Sequence, residues 1–195
     1  LPTKPLNAAD DTEGEISLCT LSAINWGLIN EPREFKKYCN LSVRALDELL
    51  DYQSYPIPAA EHGTMNRRPL GVGIINLAYF LAKRGLKYDE SAFEVVDEYA
   101  EAWSYYLIKA SAELAKEKGK IPLNNETKYA SGVLPIDTYK SAVDNLIEHK
   151  ERKKWNELRT QLKDTGIRNS TLMALMPAET SAQISNSTNG IEPPR

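Results

Sequence analysis

LGVGIINLAYFLAKRG, residues 70–85, sets the architecture. LGVGIIN, residues 70–76, is a short apolar run without a single charge, and it predicts a buried strand. It leads straight into the helix LAYFLAKRG, which Gly85 ends, because glycine accepts the left-handed conformation of a helix terminus. A strand this apolar implies a sheet covered on its outer face. Gly71 and Gly73 look like part of a dinucleotide-binding fingerprint. The third glycine is missing, however, and the pair lies inside the apolar run rather than after it. Close packing of strands accounts for them better.

Upstream, ISLCTLSAINW, residues 16–26, predicts a second strand with two unlike faces. Ile16, Leu18, Ile24 and Trp26 share one face with Thr20 and Ser22 and form the core side. Ser17, Cys19, Leu21, Ala23 and Asn25 share the other. Residues 32–51 predict a helix, with Pro32 in its first turn and Phe35, Cys39, Val43, Leu46 and Leu50 at helical spacing. Residues 1–15 read as extended chain and turn, and residues 55–69 as a long loop. Downstream, Phe93, Val96, Ala100, Trp103, Leu107, Ala110 and Leu114 mark one stripe of a long helix over 89–118, stopped by Gly119. Residues 120–136 read as loop with one helical turn. Helices follow over 137–150 and 153–165. STLMALM, residues 170–176, predicts a strand that Pro177 ends, and a short helix starts near Glu179. The order is that of an α/β protein with long helical excursions and no internal repeat.

The chain has 195 residues, 42% of them apolar and 26% charged, which suits one domain or a large piece of one. A net charge of −3 with no basic block argues against nucleic-acid binding through phosphate neutralisation. The cluster from Lys150 to Lys154 reads as a solvated helix face. No run reaches membrane-spanning length, no signal peptide opens the chain, and two cysteines make no disulfide scaffold. A soluble cytosolic protein is expected. The chain opens Leu1-Pro2-Thr3 rather than with Met, and so reads as a fragment or processed piece.

Three features could carry chemistry. In MPAETSAQ, residues 176–183, a strand ends and a helix begins. Free N–H groups and the positive dipole end of a helix bind phosphate without Lys or Arg, and the Thr180 and Ser181 hydroxyls would add donors. The plainer alternative is that one of those hydroxyls caps the helix. Cys19 lies mid-strand on the mostly small face, where it could line a cavity as a thiol reductant or be an inert buried cysteine. Cys39 falls in an apolar helical stripe and belongs to the core. His62, in the loop, and His149, on a surface helix, have no metal-ligand spacing with each other or with the cysteines, so no metal site is expected. Glu179 fits favourable charge placement in a first helical turn better than acid–base chemistry.

Taken together, LPTKPLN (1–7), GEISLCTLSAINWG (14–27), residues 49–85, NETKYASGVLPIDTYK (125–140) and RNSTLMALMPAETSAQISNSTNGIEPPR (168–195) resemble the large catalytic subunit of class I ribonucleotide reductase, in its bacterial and bacteriophage form. The last stretch resembles the family signature. The resemblance implies a ten-stranded α/β barrel of two halves, of which residues 1–195 would form a partial catalytic domain, mainly the second half. It implies reduction of ribonucleoside diphosphates to deoxyribonucleoside diphosphates, for DNA precursor synthesis, by thiyl-radical chemistry. Cys19 would then be one of a redox-active pair, and Pro177, Ala178, Glu179, Thr180 and Ser181 the loop holding the substrate diphosphate. Many relatives have a hydroxyl residue where Ala178 stands. The radical cysteine on its finger loop, the partner cysteine, the radical-relay tyrosines, the C-terminal thiols and the ATP/dNTP effector sites would all lie outside these residues. No cofactor would be bound directly. The radical would come from a metal-containing small (beta) subunit. A large-subunit homodimer and thioredoxin or glutaredoxin would be the other partners, with no nucleic acid and no membrane. A different reading keeps the loop alone, as a non-catalytic nucleotide-phosphate binder or one piece of a split gene product.

Overall fold

The computed structural model describes residues 4–6, 8, 10–18, 20–148 and 151–194. Strands β1 (Leu21–Asn25) and β2 (Gly71–Ile75) pair in parallel, Leu21 opposite Gly71 and Asn25 opposite Ile75. Every residue of β2 is buried, as its uninterrupted apolar run requires. On its other edge lies residues 171–174, also parallel. There Val72 N donates to Leu172 O (2.8 Å) and Ala174 N to Val72 O (3.3 Å). The expected strand over 170–176 thus pairs with β2 through a single residue pair, Val72 and Met173. Parallel neighbours need crossover helices, and the long helical excursions supply them.

The two glycines of β2 serve close packing, as expected. A Cβ on Gly71 would lie 2.5 Å from Leu21 Cδ2 and 2.9 Å from Ala174 Cβ. One on Gly73 would lie 2.3 Å from Met176 Sδ and 2.7 Å from the Ala174 carbonyl oxygen. On the opposite face, Ile24 and Trp26 enter the core as expected, but Ile16 and Leu18 stay half-buried, and Ser17, Leu18, Thr20 and Leu21 line one cleft together, so the expected division of faces does not extend upstream of the strand. The strand covers only Leu21–Asn25 of the expected 16–26, and Cys19 lies outside the described residues.

Helix α1 (Phe35–Tyr52) follows a 3-10 turn at Pro32–Glu34 and buries Phe35, Cys39, Val43, Leu46 and Leu50, the predicted stripe. It packs on α4 (Phe93–Lys118). Helix α3 (Leu77–Ala82) leads to Gly85, whose φ of +69° is the expected left-handed stop. Trp26 sits edge-on to Phe35, Phe80 and Trp103 at centroid separations of 5.4, 5.5 and 6.5 Å. Such pairs contribute about 0.5–1.5 kcal/mol each beyond burial. Helix α4 is buried far beyond its predicted stripe, because α5 (Trp155–Thr165) covers another side. Glu101 is one result. Its buried carboxylate accepts from the Arg152 and Lys153 amides (both 2.9 Å) and from Trp155 Nε1 (3.0 Å), which fixes the start of α5.

Two expectations fail. Residues 55–69 are not a loop but contain α2 (Pro58–Arg67), so His62 is helical. Pro58 occupies the first turn, where its missing N–H is harmless. The helix is hard to see because it buries only Ala59, Ala60, Gly63 and Thr64. The helix expected over 137–150 is instead a 3-10 segment at Ser141–Asn145 with flanking turns. His149 and Lys150 lie outside the described residues.

A buried polar network pins the chain just before residues 171–174. Asp47 on α1 is fully buried. It accepts from Arg68 Nε (2.7 Å), Asn169 Nδ2 (3.0 Å) and Arg168 Nε (3.2 Å). Arg68 also holds Asp51 through two bonds, of 2.8 and 2.7 Å. Burial alone would lower the Arg68 pKa, but the hydrogen bonds it donates to Asp51 and Asp47 outweigh it and raise the pKa above its ordinary value. Asn169 and Ser111 close the network, with Ser111 Oγ donating to Asn169 Oδ1 (2.8 Å) and the Asn169 amide donating to Ser111 Oγ (3.0 Å).

Candidate functional site

Met176 and Pro177 follow the segment that pairs with β2, and α6 (Glu179–Ile184) begins two residues after Pro177. Its N-cap is Ala178, at φ −127° and ψ 43°, and no side chain caps the helix. Alanine cannot cap, so the plainer expectation, a helix closed by Thr180 or Ser181, does not hold. The first helical bond runs from Ala182 N to Ala178 O (2.8 Å). The amides of Glu179, Thr180 and Ser181 come before it and lie outside the intrahelical ladder. Glu179, Thr180 and Ser181 are exposed, and among the described residues the Thr180 and Ser181 hydroxyls make no hydrogen bond.

A cleft of about 450 Å³ opens beside this turn, lined by Pro177, Glu179, Thr188, Asn189, Glu192 and the Pro193-Pro194 pair. Its lining contains two carboxylates and no cation. Neither Thr180 nor Ser181 lines it, so the free amide end of the turn and the acidic cleft are separate features. Pro177 and Ala178 lead directly into the first turn of α6, which holds Glu179, Thr180 and Ser181, while Cys19 lies outside the described residues.

Sequence reasoning missed Asn189, whose side-chain oxygen accepts from the Ala178 amide at 2.6 Å. Nothing in its local sequence marks it apart from a turn-forming setting. Cys39 is buried, its thiol 3.7 Å from the Trp103 carbonyl, and burial pushes its pKa well up. That environment keeps it protonated and unreactive, as the core reading requires. Among the described residues no three His, Cys, Asp or Glu side chains converge as metal ligands. None of the described helices is long and apolar enough to cross a membrane.

The family model "Ribonucleotide reductase, barrel domain" matches residues 6–195. The chain belongs to this family. Ribonucleoside-diphosphate reductase subunit alpha of Buchnera aphidicola (subspecies Schizaphis graminum) is 57% identical over 196 aligned positions, covering 100% of this chain and 26% of that protein. The corresponding subunit of Haemophilus influenzae is 55% identical, with the same coverage. That of Enterobacteria phage T4 is 46% identical over 200 positions, again covering 100% of this chain and 26% of the relative. The chain therefore spans about a quarter of the length of these curated relatives. The reductase barrel domain is the setting of its α/β order.

Proposed function

We propose that this chain supplies the diphosphate-holding loop and one redox cysteine of a ribonucleoside-diphosphate reductase catalytic subunit. The observation that carries the loop assignment is the uncapped start of α6. Three amides and two hydroxyls, from Glu179, Thr180 and Ser181, are left for a ligand, and Ala178 offers no side chain to compete. Helix N-termini favour phosphate oxygens through these N–H groups and the helix dipole. Ala178 removes one side-chain donor that many relatives have, so the backbone carries more of the load. Residues 1–195 then act as a partial catalytic barrel domain.

In the redox step Cys19 acts with a partner cysteine beyond this chain. The two thiols supply two electrons and two protons. The ribose 2′-hydroxyl leaves as water, a C2′–H bond replaces the C2′–O bond, and the thiols become a disulfide. A thiyl radical generated with a metal-containing beta subunit starts the reaction, and thioredoxin or glutaredoxin restores the pair. ATP and dNTP effectors bind elsewhere in a large-subunit homodimer, in the cytoplasm of the cell that uses it.

Two variants in the assembled reductase containing this chain test the proposal. Thr180→Ala with Ser181→Ala removes both hydroxyls from exposed positions. It is expected to raise KM for the nucleoside diphosphate about tenfold or more, the loss of charge-assisted hydrogen bonds worth roughly 1.5–3 kcal/mol, with kcat little changed. An unchanged KM overturns the loop assignment. Cys19→Ser is expected to abolish thioredoxin-dependent turnover, and turnover at the parent rate overturns the redox role.

A further inference from the structure

We infer that Asn189 is a positioning residue for the phosphate loop, held in place by a relay of carboxamides that begins at the ends of both strands. The inference rests on the diphosphate assignment of residues 177–181.

The loop lacks the usual means of fixing its own shape. Pro177 has no N–H, and Ala178 has no polar side chain. The orientation of the Ala178 peptide, from which α6 starts, is set from outside by Asn189 Oδ1 at 2.6 Å. Eleven residues separate the pair, and the chain returns by a tight reversal. Asn186, at φ +48°, ends α6 in the left-handed conformation that asparagine accepts more readily than most residues. The Ser187 amide then donates back to Ala182 O at 2.9 Å, a helix-terminating bond across the reversal. The return segment runs alongside the loop and places residue 189 opposite residue 178.

This segment is fastened to the sheet. Asn76 follows β2 and is buried in a left-handed conformation, at φ +67°. Its amide donates to Thr188 O (2.9 Å), and its side-chain oxygen accepts from Thr188 N (3.1 Å). Its Nδ2 donates to Asn25 Oδ1 (2.9 Å) at the end of β1. Gly27 makes room for this carboxamide, since a Cβ there would stand 2.3 Å from Asn76 Nδ2. Buried polar groups satisfied in this reciprocal way hold one geometry. The relay Asn25–Asn76–Thr188–Asn189–Ala178 therefore ties the start of α6 to the ends of both strands through uncharged groups alone.

Asn189→Ala in the assembled reductase tests the inference, with Thr180→Ala/Ser181→Ala as the control for the loop itself. The variant keeps the sheet contacts of Thr188 and loses only the bond to Ala178. KM for the nucleoside diphosphate is expected to rise about tenfold, equivalent to about 1.4 kcal/mol, with kcat at saturation within about twofold of the parent and the melting temperature unchanged. If Asn189→Ala lowers the melting temperature and leaves KM alone, the residue is merely structural and the inference falls. If the control raises KM and Asn189→Ala does not, the inference falls and the loop assignment stands. If neither variant changes KM, the loop assignment itself has failed.

Discussion

Asp47→Ala gives the most direct test of how the fold fixes the segment that pairs with β2 at Met173. Asp47 has no solvent exposure and answers two guanidinium groups and one carboxamide, at 2.7, 3.2 and 3.0 Å. Removing one partner of a buried ion pair costs about 3–5 kcal/mol, because the other charge is left without compensation. Arg68 keeps its two bonds to Asp51, and Arg168 keeps the carbonyls of Lys118 and Gly119. The loss therefore falls toward the lower end, about 3 kcal/mol, with roughly 1 kcal/mol more from the acceptor that Asn169 loses. At a urea slope of about 2 kcal/mol per molar, the unfolding midpoint drops by about 1.5–2 M. A double-mutant cycle with Arg68→Met separates the pair from its surroundings. Once Asp47 is gone, Arg68→Met removes a stranded charge, so the double variant should be less damaged than the sum of the singles by at least about 2 kcal/mol. Single effects that add within about 0.5 kcal/mol would show that the two side chains do not depend on each other.

Gly73→Ala is expected to cost about 1–3 kcal/mol by overpacking, because Met176 can move aside but the Ala174 carbonyl at 2.7 Å is backbone. Gly85→Ala, with nothing within 4 Å and only its φ of +69° to strain it, should cost about 1 kcal/mol. A thermal melt in which Gly73→Ala is the milder of the two would refute the close-packing account. Acid should unmask the Arg68–Asp51 pair. A hydrogen bond from Arg68, only partly opposed by burial, holds the Asp51 carboxyl below the usual carboxylate range. With the folded pKa below the unfolded value of about 3.9, the stabilisation is fully present above that pH. It is lost as pH falls through the folded value. Asp51 is about half exposed, so solvent screening keeps the effect small. The gap in urea midpoint between the parent and Asp51→Asn should be open at pH 7 and close toward pH 2, and a gap that stays constant would count against the pair.

What the sequence disclosed and what it hid follow from how burial is recorded in residue types. β2 and α3 were legible because an uncharged apolar run passes directly into helical spacing at Leu77. Helix α2 was hidden because its buried face is made of Ala59, Ala60, Gly63 and Thr64, which are small and resemble a loop when Pro56 and Pro58 flank them. The opposite error came at 137–150. Val143, Leu146 and Ile147 have helical spacing, yet Leu146 remains 62% exposed and the segment forms only 3-10 turns. Most helical stability in proteins comes from tertiary packing, and among the described residues nothing covers that face fully. Helix α4 erred toward too little burial, since its sequence suggests one stripe while two helices cover it. Periodicity shows where apolar groups lie on an element but not how many neighbours will meet them.

The same distinction holds at the candidate site. Pro177 to Ser181 could be recognised from a local pattern, because a strand, a proline and a hydroxyl-rich helix start are adjacent in the chain. Asn189 could not, because its partner becomes a neighbour only after Asn186 reverses the chain and Asn76 fastens Thr188 to the sheet. The long stretch from Asn169 to Asn189 with a single charged side chain, Glu179, then acquires a physical reason under the diphosphate assignment. A lysine or arginine within the return segment would offer the anion a competing partner on a flexible stem, and further carboxylates would add to the repulsion from Glu179 and Glu192. Carboxamides and hydroxyls do neither. They fix the backbone, and under that assignment the backbone amides are left to face the phosphate. A loop without a cation, held by neutral groups, makes its affinity depend on geometry. That is why a single uncharged side chain outside the loop, Asn189, should change substrate affinity without changing the charge of the site.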